Sequence, residues 1–186
     1  MQNLGVMIAS VREGRVGLPV AKWFVEQATA HGRFDVHVID LKEVNLPLLS
    51  ERNHPRHQKY EQETTKRWSR TVQETDAFVI VTPEYNYSSP PALVNALHHV
   101  YVEWNYKAVG FVSYGGLSGG TRSVQMSKQI LTTLKMVPLV EAVHIPYVTR
   151  LVSDGIFKAE EKHDKSARVM LDELLRWSEA LTGLRS

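Results

Sequence analysis

The stretch Phe78-Val79-Ile80-Val81-Thr82-Pro83-Glu84-Tyr85-Asn86-Tyr87 changes character abruptly. An apolar run stops at a proline, an acid, an amide and two tyrosines. A run apolar on both faces reads as a strand at the middle of a parallel sheet. Open α/β sheets bind ligands beyond the carboxyl ends of such strands. Pro83 fixes φ and offers no ladder N–H, so the chain turns outward there. Asn86 supplies donors and acceptors, and Tyr85 and Tyr87 supply π faces with polar tips, which suits a flat ligand with a polar edge. The same residues, followed by Ser88-Ser89-Pro90-Pro91, are equally compatible with a turn whose aromatics only cover the sheet end.

Two other segments carry candidate chemistry. Ser10-Val11-Arg12-Glu13-Gly14-Arg15-Val16-Gly17 lies between a strand-like run and a helical pattern. Exposed main-chain N–H groups and the positive end of a helix suit a phosphate there, with a hydroxyl from Ser10 and charge from Arg12 and Arg15. The loop is neither GxGxxG nor GxxxxGK[ST], so a polar βα turn with solvated arginines stands beside the phosphate reading. Ser113-Tyr114-Gly115-Gly116-Leu117-Ser118-Gly119-Gly120 follows another apolar run. Its four glycines suit a backbone lying flat against a ligand, or a loop that needs glycine for its own turns. The histidines give no metal site: His98 and His99 are adjacent on a helix and face different ways, and His54 and His57 lack an acid cluster. No nucleophile–base arrangement stands out.

The elements that must position these loops alternate regularly. Strands are expected at Leu4–Ala9, Phe34–Leu41, Ala77–Thr82, Val109–Tyr114 and Leu139–Ile145. Helices are expected at Leu18–Ala30, through Trp68 and Val72, at Pro91–Glu103, at Thr121–Lys135 and at Ala159–Leu181. A long polar segment runs from Lys42 to Tyr60, and a loop surrounds Ser153-Asp154-Gly155. Such alternation specifies an α/β fold, a five-stranded parallel sheet covered by helices on both faces in a three-layer sandwich. The flavodoxin-like order 2-1-3-4-5 suits it. Residues 1–186 are read as a single domain of this kind.

Composition narrows the chemistry further. The chain has no cysteine, which removes disulfides, thiol nucleophiles and Cys-ligated metals, and leaves redox chemistry to a bound cofactor. A formal charge of +2 gives no argument for nucleic acid. No apolar run approaches a membrane span and no targeting segment is visible, so a cytoplasmic protein without a membrane partner is expected.

Together the three loops resemble the NADPH-dependent FMN reductase family, a flavodoxin-like group of flavin oxidoreductases. The resemblance runs from Val6 to about Leu181 and includes Asn53-His54-Pro55-Arg56 and Thr65-Lys66-Arg67-Trp68-Ser69; Pro83-Glu84-Tyr85-Asn86 and Ser113-Tyr114-Gly115-Gly116 are its most specific parts. It implies that Ser10, Arg12 and Gly17 hold the FMN phosphate. Pro83, Glu84, Tyr85 and Asn86 would line the ribityl chain and ring, and Ser113, Gly115 and Gly116 would face the ring's other edge. It further implies hydride transfer from NADPH or NADH through FMN to a small acceptor such as a quinone or free flavin. No catalytic side chain or metal is implied, and the working form would be a homodimer or homotetramer. An electron carrier and a binding protein with weakened or lost FMN are the alternatives. Where the family commonly has Gly and often Thr this chain has Ala9 and Val11, and a Lys and an Asp are replaced by Val94 and His98. One lost charge-assisted hydrogen bond implies about tenfold weaker flavin binding.

Overall fold

The computed structural model describes residues 1–185. Five strands, β1 (Gln2–Ile8), β2 (Phe34–Asp40), β3 (Ala77–Pro83), β4 (Ala108–Tyr114) and β5 (Val137–Ile145), form one sheet. Its order is β2-β1-β3-β4-β5, with every neighbouring pair parallel. The expected topology is therefore the observed one.

All seven residues of β3 and all seven of β4 are buried. Alternate side chains enter different layers, as the two-residue period of a strand requires. Val79, Val81 and Val112 pack with Val20 and Phe24 of helix α1 (Gly17–His31) and with Met170 and Leu174 of the last long helix. Phe78, Ile80 and Phe111 pack on the other face with Trp68, Leu93 and Leu131. Each fully buried side chain of this size contributes about 1.5–3 kcal/mol, so both layers are needed to make the sheet stable. Gly110 leaves room for Met170, whose sulfur lies 2.8 Å from where a β-carbon would stand.

The helices on the second face are α3 (Glu63–Gln73), α4 (Pro91–His99) and α5 (Thr121–Thr133), after a single turn α2 (Leu41–Val44). Helix α4 stops earlier than its apolar pattern suggests, because Val100 is extended and Val102–Trp104 form a 3₁₀ turn. That break buries Glu103, which accepts from the hydroxyls of Tyr60 and Ser69 at 2.9 and 2.6 Å, and Trp104, which donates to the Leu97 carbonyl. The polar segment 45–62 is pinned to α4 by Asn95, which accepts from Leu49 N–H and donates to the Pro47 carbonyl.

The loop at Asp154-Gly155 closes a small hairpin, β6 (Val152–Ser153) and β7 (Ile156–Phe157). Both turn residues have positive φ, the conformation a two-residue hairpin of this hand demands. Helix α6 (Glu161–Leu181) then packs across β5 and α1. Among the described residues no helix is long and apolar enough to cross a membrane.

Because β2 and β3 flank β1 on opposite sides, the loops leaving β1 and β3 diverge at the carboxyl edge. All three candidate loops lie along that edge, after β1, β3 and β4.

Candidate functional site

The loop after β1 ends in a helix terminus without a side-chain cap: Val16 sits at the N-cap of α1 and makes no capping hydrogen bond. None of the main-chain N–H groups from Ser10 to Leu18 finds a partner among the described residues. Free donors at the positive end of a helix form an anion site. Arg12 is exposed, pairs with no carboxylate among the described residues, and lies with its guanidinium carbon 5.7 Å from the Tyr85 ring centroid. Arg15 is placed differently. Its guanidinium donates to Asp40 at the end of β2, with Nη1 2.6 Å from Oδ1, and to the Ser10 carbonyl at 2.6 Å. Arg15 thus braces the loop, and Arg12 is the arginine left open.

The loop after β3 makes a tight turn. Tyr85 and Ser88 exchange both main-chain hydrogen bonds, and Asn86 and Tyr87 between them have φ of 51° and 67°. Asparagine tolerates this region, but tyrosine does not favour it. Asn86 makes no hydrogen bond within the described residues, so its amide is free on the exposed turn.

Three side-chain contacts weld the loops together. Ser10 Oγ and the Tyr85 hydroxyl lie 2.6 Å apart and join the first loop to the second. Glu84, whose side chain is nearly buried, accepts from the Ser118 hydroxyl at 2.7 Å and from Arg122 Nε at 2.6 Å, joining the second loop to the third. Burial works against a charge on Glu84, but Ser118 and Arg122 outweigh it and hold the carboxyl below its usual range. Tyr114, at the end of β4, reaches back to the first loop: a β-carbon on Gly17 would fall on its hydroxyl. Among the described residues that hydroxyl is buried without a hydrogen bond of good geometry; burial first, then the neighbouring Tyr85, raises its pKa, against a smaller opposing pull from Ser10 and the nearby arginines. Gly17 is therefore a packing requirement as well as the first residue of α1.

The glycines after β4 divide by cause. Gly119 and Gly120 have positive φ and sit against backbone, so the fold itself requires them. A β-carbon on Gly116 would meet nothing within 4 Å, and its backbone does not need glycine. Ser113 is fully buried, and its hydroxyl donates to the Gly119 carbonyl at 2.8 Å. With that proton spent, His144 Nδ1 is the donor in the 2.7 Å contact to Ser113 Oγ.

The structure thus brings ten of the eleven residues singled out in the sequence to one edge with free or bridging roles: Ser10, Arg12, Gly17, Pro83, Glu84, Tyr85, Asn86, Ser113, Gly115 and Gly116. Ser113 and Glu84 act inside the scaffold rather than at its open face, and Arg15 is turned to Asp40. Sequence reading missed Tyr114, Ser118, Arg122 and His144 as their partners. Beside the first loop a groove of about 280 Å³ is lined by Val11, Leu41, Lys42 and Asn95.

Residues 2–150 match the NADPH-dependent FMN reductase family. An NAD(P)H-dependent FMN reductase of Schizosaccharomyces pombe is 38% identical over 145 residues, covering 76% of this chain and 72% of that protein. An NAD(P)H-dependent FMN reductase of Saccharomyces cerevisiae is 34% identical over 146 residues, covering 72% of this chain and 75% of the other. Among solved structures, the NAD(P)H:acceptor oxidoreductase FerB of Paracoccus denitrificans superposes with a TM-score of 0.75 over 97% of this chain and 98% of its own, at 23% identity. The fold is that of the flavodoxin-like flavoenzymes. The chain belongs to the NADPH-dependent FMN reductase family, whose members use FMN and NAD(P)H.

Two measurements check the welds. Gly17→Ala is expected to cost about 1–3 kcal/mol by overpacking, while Tyr114→Phe, which deletes an unpartnered hydroxyl, is expected to be neutral or slightly stabilising. Urea midpoints of the two single variants and the double variant form a cycle, in which Tyr114→Phe should relieve most of the Gly17→Ala loss; additive effects contradict the contact. The second concerns pH. The folded-state pKa of Glu84 lies below its unfolded value, so its stabilisation is complete above about 4.5 and is lost as pH falls through the folded value. Glu84→Gln should cost about 1–2 kcal/mol near neutral pH, discounted for the exposed half of Arg122. The gap from wild type should close in acid, and a gap independent of pH contradicts the clamp.

Proposed function

We propose that this chain is an NAD(P)H-dependent FMN reductase, folded as one domain, that binds FMN across the three loops and reduces a small acceptor of the quinone or free-flavin class. The observation that carries the reading is the run of unpartnered main-chain donors from Ser10 to Leu18 at the uncapped start of α1, with Arg12 exposed beside it. This donor set fits a phosphate monoester. The free amide of Asn86 and the N–H of Gly116, unpartnered among the described residues, fit the polar edges of a flat ring system.

When bound, FMN supplies the two-electron chemistry between nicotinamide and acceptor. The chain's own residues bind and orient. Arg12 and the N–H groups after Ser10 fix the phosphate end, and the Ser10–Tyr85 bond sets the distance between that end and the Asn86 turn. The Glu84–Arg122 clamp and the Ser113–Gly119 bond hold Gly115 and Gly116 opposite that turn. Positioning two rings at reacting distance is the main catalytic contribution available to such a scaffold. A homodimer or homotetramer belongs to the same reading, with Tyr87 and Leu117, 70% and 79% exposed at the rim, available to a second copy.

A second reading, a binding protein with weakened FMN affinity, draws on one observation: Ser10 and Arg15 already have partners within the chain. Ala9 does not favour it, because its methyl is fully buried within the core layer that includes Met7 and Ile39. FMN titration of the purified protein, followed by flavin fluorescence, decides between them. The reductase reading expects quenching, NADPH oxidation with a quinone, and about tenfold weaker FMN binding in Arg12→Ala. Absence of quenching at high protein concentration, or bound flavin with no NAD(P)H turnover, removes it.

A further inference from the structure

Three tyrosines at the carboxyl edge each lie beneath an arginine. The guanidinium carbons of Arg12, Arg122 and Arg150 stand 5.7, 3.9 and 4.6 Å from the ring centroids of Tyr85, Tyr87 and Tyr147. The first two have assignments. Arg12 faces the donor-rich first loop, and Arg122 is neutralised by Glu84. Arg150 is different: it is exposed, and no carboxylate lies within ion-pairing distance among the described residues.

Arg150 and Tyr147 share one turn after β5, so their stacking alone is a local matter. Their attachment is not. Tyr147 N–H donates to the Gly116 carbonyl at 2.9 Å and Val148 N–H to the Gly115 carbonyl at 3.2 Å, which stitches the turn to the loop proposed to face the ring. Tyr147 also holds a φ of 50°, a conformation that bulky side chains avoid. The turn therefore presents an uncompensated cation, on a fixed aromatic support, at the edge of the proposed site.

The FMN phosphate does not account for this cation. Strand β5 is separated from β1 by β3 and β4. Three strand spacings of about 4.8 Å put the two loops about 14 Å apart, beyond the reach of one arginine side chain. FMN carries a single phosphate group, and the first loop takes it. A quinone acceptor has no phosphate, whereas the nicotinamide dinucleotide, needed whichever acceptor is used, always carries phosphate groups still to be placed.

We propose that Arg150, held on the ring of Tyr147, binds a phosphate of the nicotinamide dinucleotide and so orients its nicotinamide end toward the site. The proposal rests on the FMN-reductase reading. A planar guanidinium can engage a phosphate through paired N–H donors, and stacking lowers the cost of fixing the side chain.

The test uses the FMN-loaded protein and two unreactive probes in calorimetric titrations. Adenosine 2′,5′-bisphosphate carries the extra phosphate of NADPH, and ADP-ribose carries the pyrophosphate common to both dinucleotides. Arg150→Ala is expected to weaken binding of at least one probe about tenfold, to raise the KM for the corresponding dinucleotide, and to flatten its dependence on salt. Loss for the bisphosphate alone assigns the 2′-phosphate, and loss for ADP-ribose as well assigns the pyrophosphate. Arg150→Lys should recover part of the affinity, because it keeps the charge but not the paired donors. FMN affinity of these exposed-residue variants should stay within about twofold of wild type. Equal binding of both probes to wild type and Arg150→Ala, or no binding of either to wild type, overturns the assignment while FMN quenching and NAD(P)H turnover leave the reductase reading standing. Loss of FMN binding by the wild type itself removes both.

Discussion

The dryness of β3 and β4 on both faces is the constraint from which the rest of the edge follows. Fourteen consecutive-strand positions, seven in each, are buried between two helical layers, so no polar group that must meet a ligand can reside within them. Polar chemistry is pushed to the strand ends, and parallel pairing brings those ends to one side. Pro83 marks the point where β3 leaves the ladder. Tyr114 marks the same point on its partner strand, since the two residues are paired in register.

What converts three loop ends into one site is a set of side chains that cross between them. Ser10 meets Tyr85, Glu84 meets Ser118 and Arg122, and Gly17 yields its space to Tyr114. Each bridge is short; the Tyr114 contact and the Glu84 end of its bridge lie largely out of solvent, where hydrogen bonds and steric contacts count for more. The outcome is a frame whose own polar side chains are mostly spent on one another. The groups it leaves free, the N–H row after Ser10, the Asn86 amide, Gly116 and two arginines, form the surface open to a ligand.

The sequence made the sheet legible because the strands are short apolar runs separated by helical patterns, and because β3 admits no other reading. It made the loops legible because abrupt switches from apolar to Pro, Gly, Asn and Ser sit just past those runs. Other features were not visible in it. The break at Val100 depends on Glu103 and Trp104 finding partners on α3 and in α4. The partnership of Arg15 with Asp40 depends on β2 lying beside β1; residue type alone makes Arg15 and Arg12 equal candidates, and only the family resemblance favoured Arg12. Ser113 looked like a ligand residue because it ends an apolar run, but alternation turns its side chain inward to Gly119 and His144. The Asp154-Gly155 hairpin is short enough that its strands carry no periodic signal.

In the function proposed above, the loops after β1, β3 and β4 act as one FMN-binding frame. Amide hydrogen exchange with and without FMN tests it most directly, because the free N–H groups belong to known residues. FMN is expected to slow exchange together at amides from Ser10 to Leu18, at Asn86 and at Gly116, by about tenfold or more where a new hydrogen bond forms. Unchanged exchange at all three loops in saturating FMN, or protection confined to another face of the protein, contradicts it.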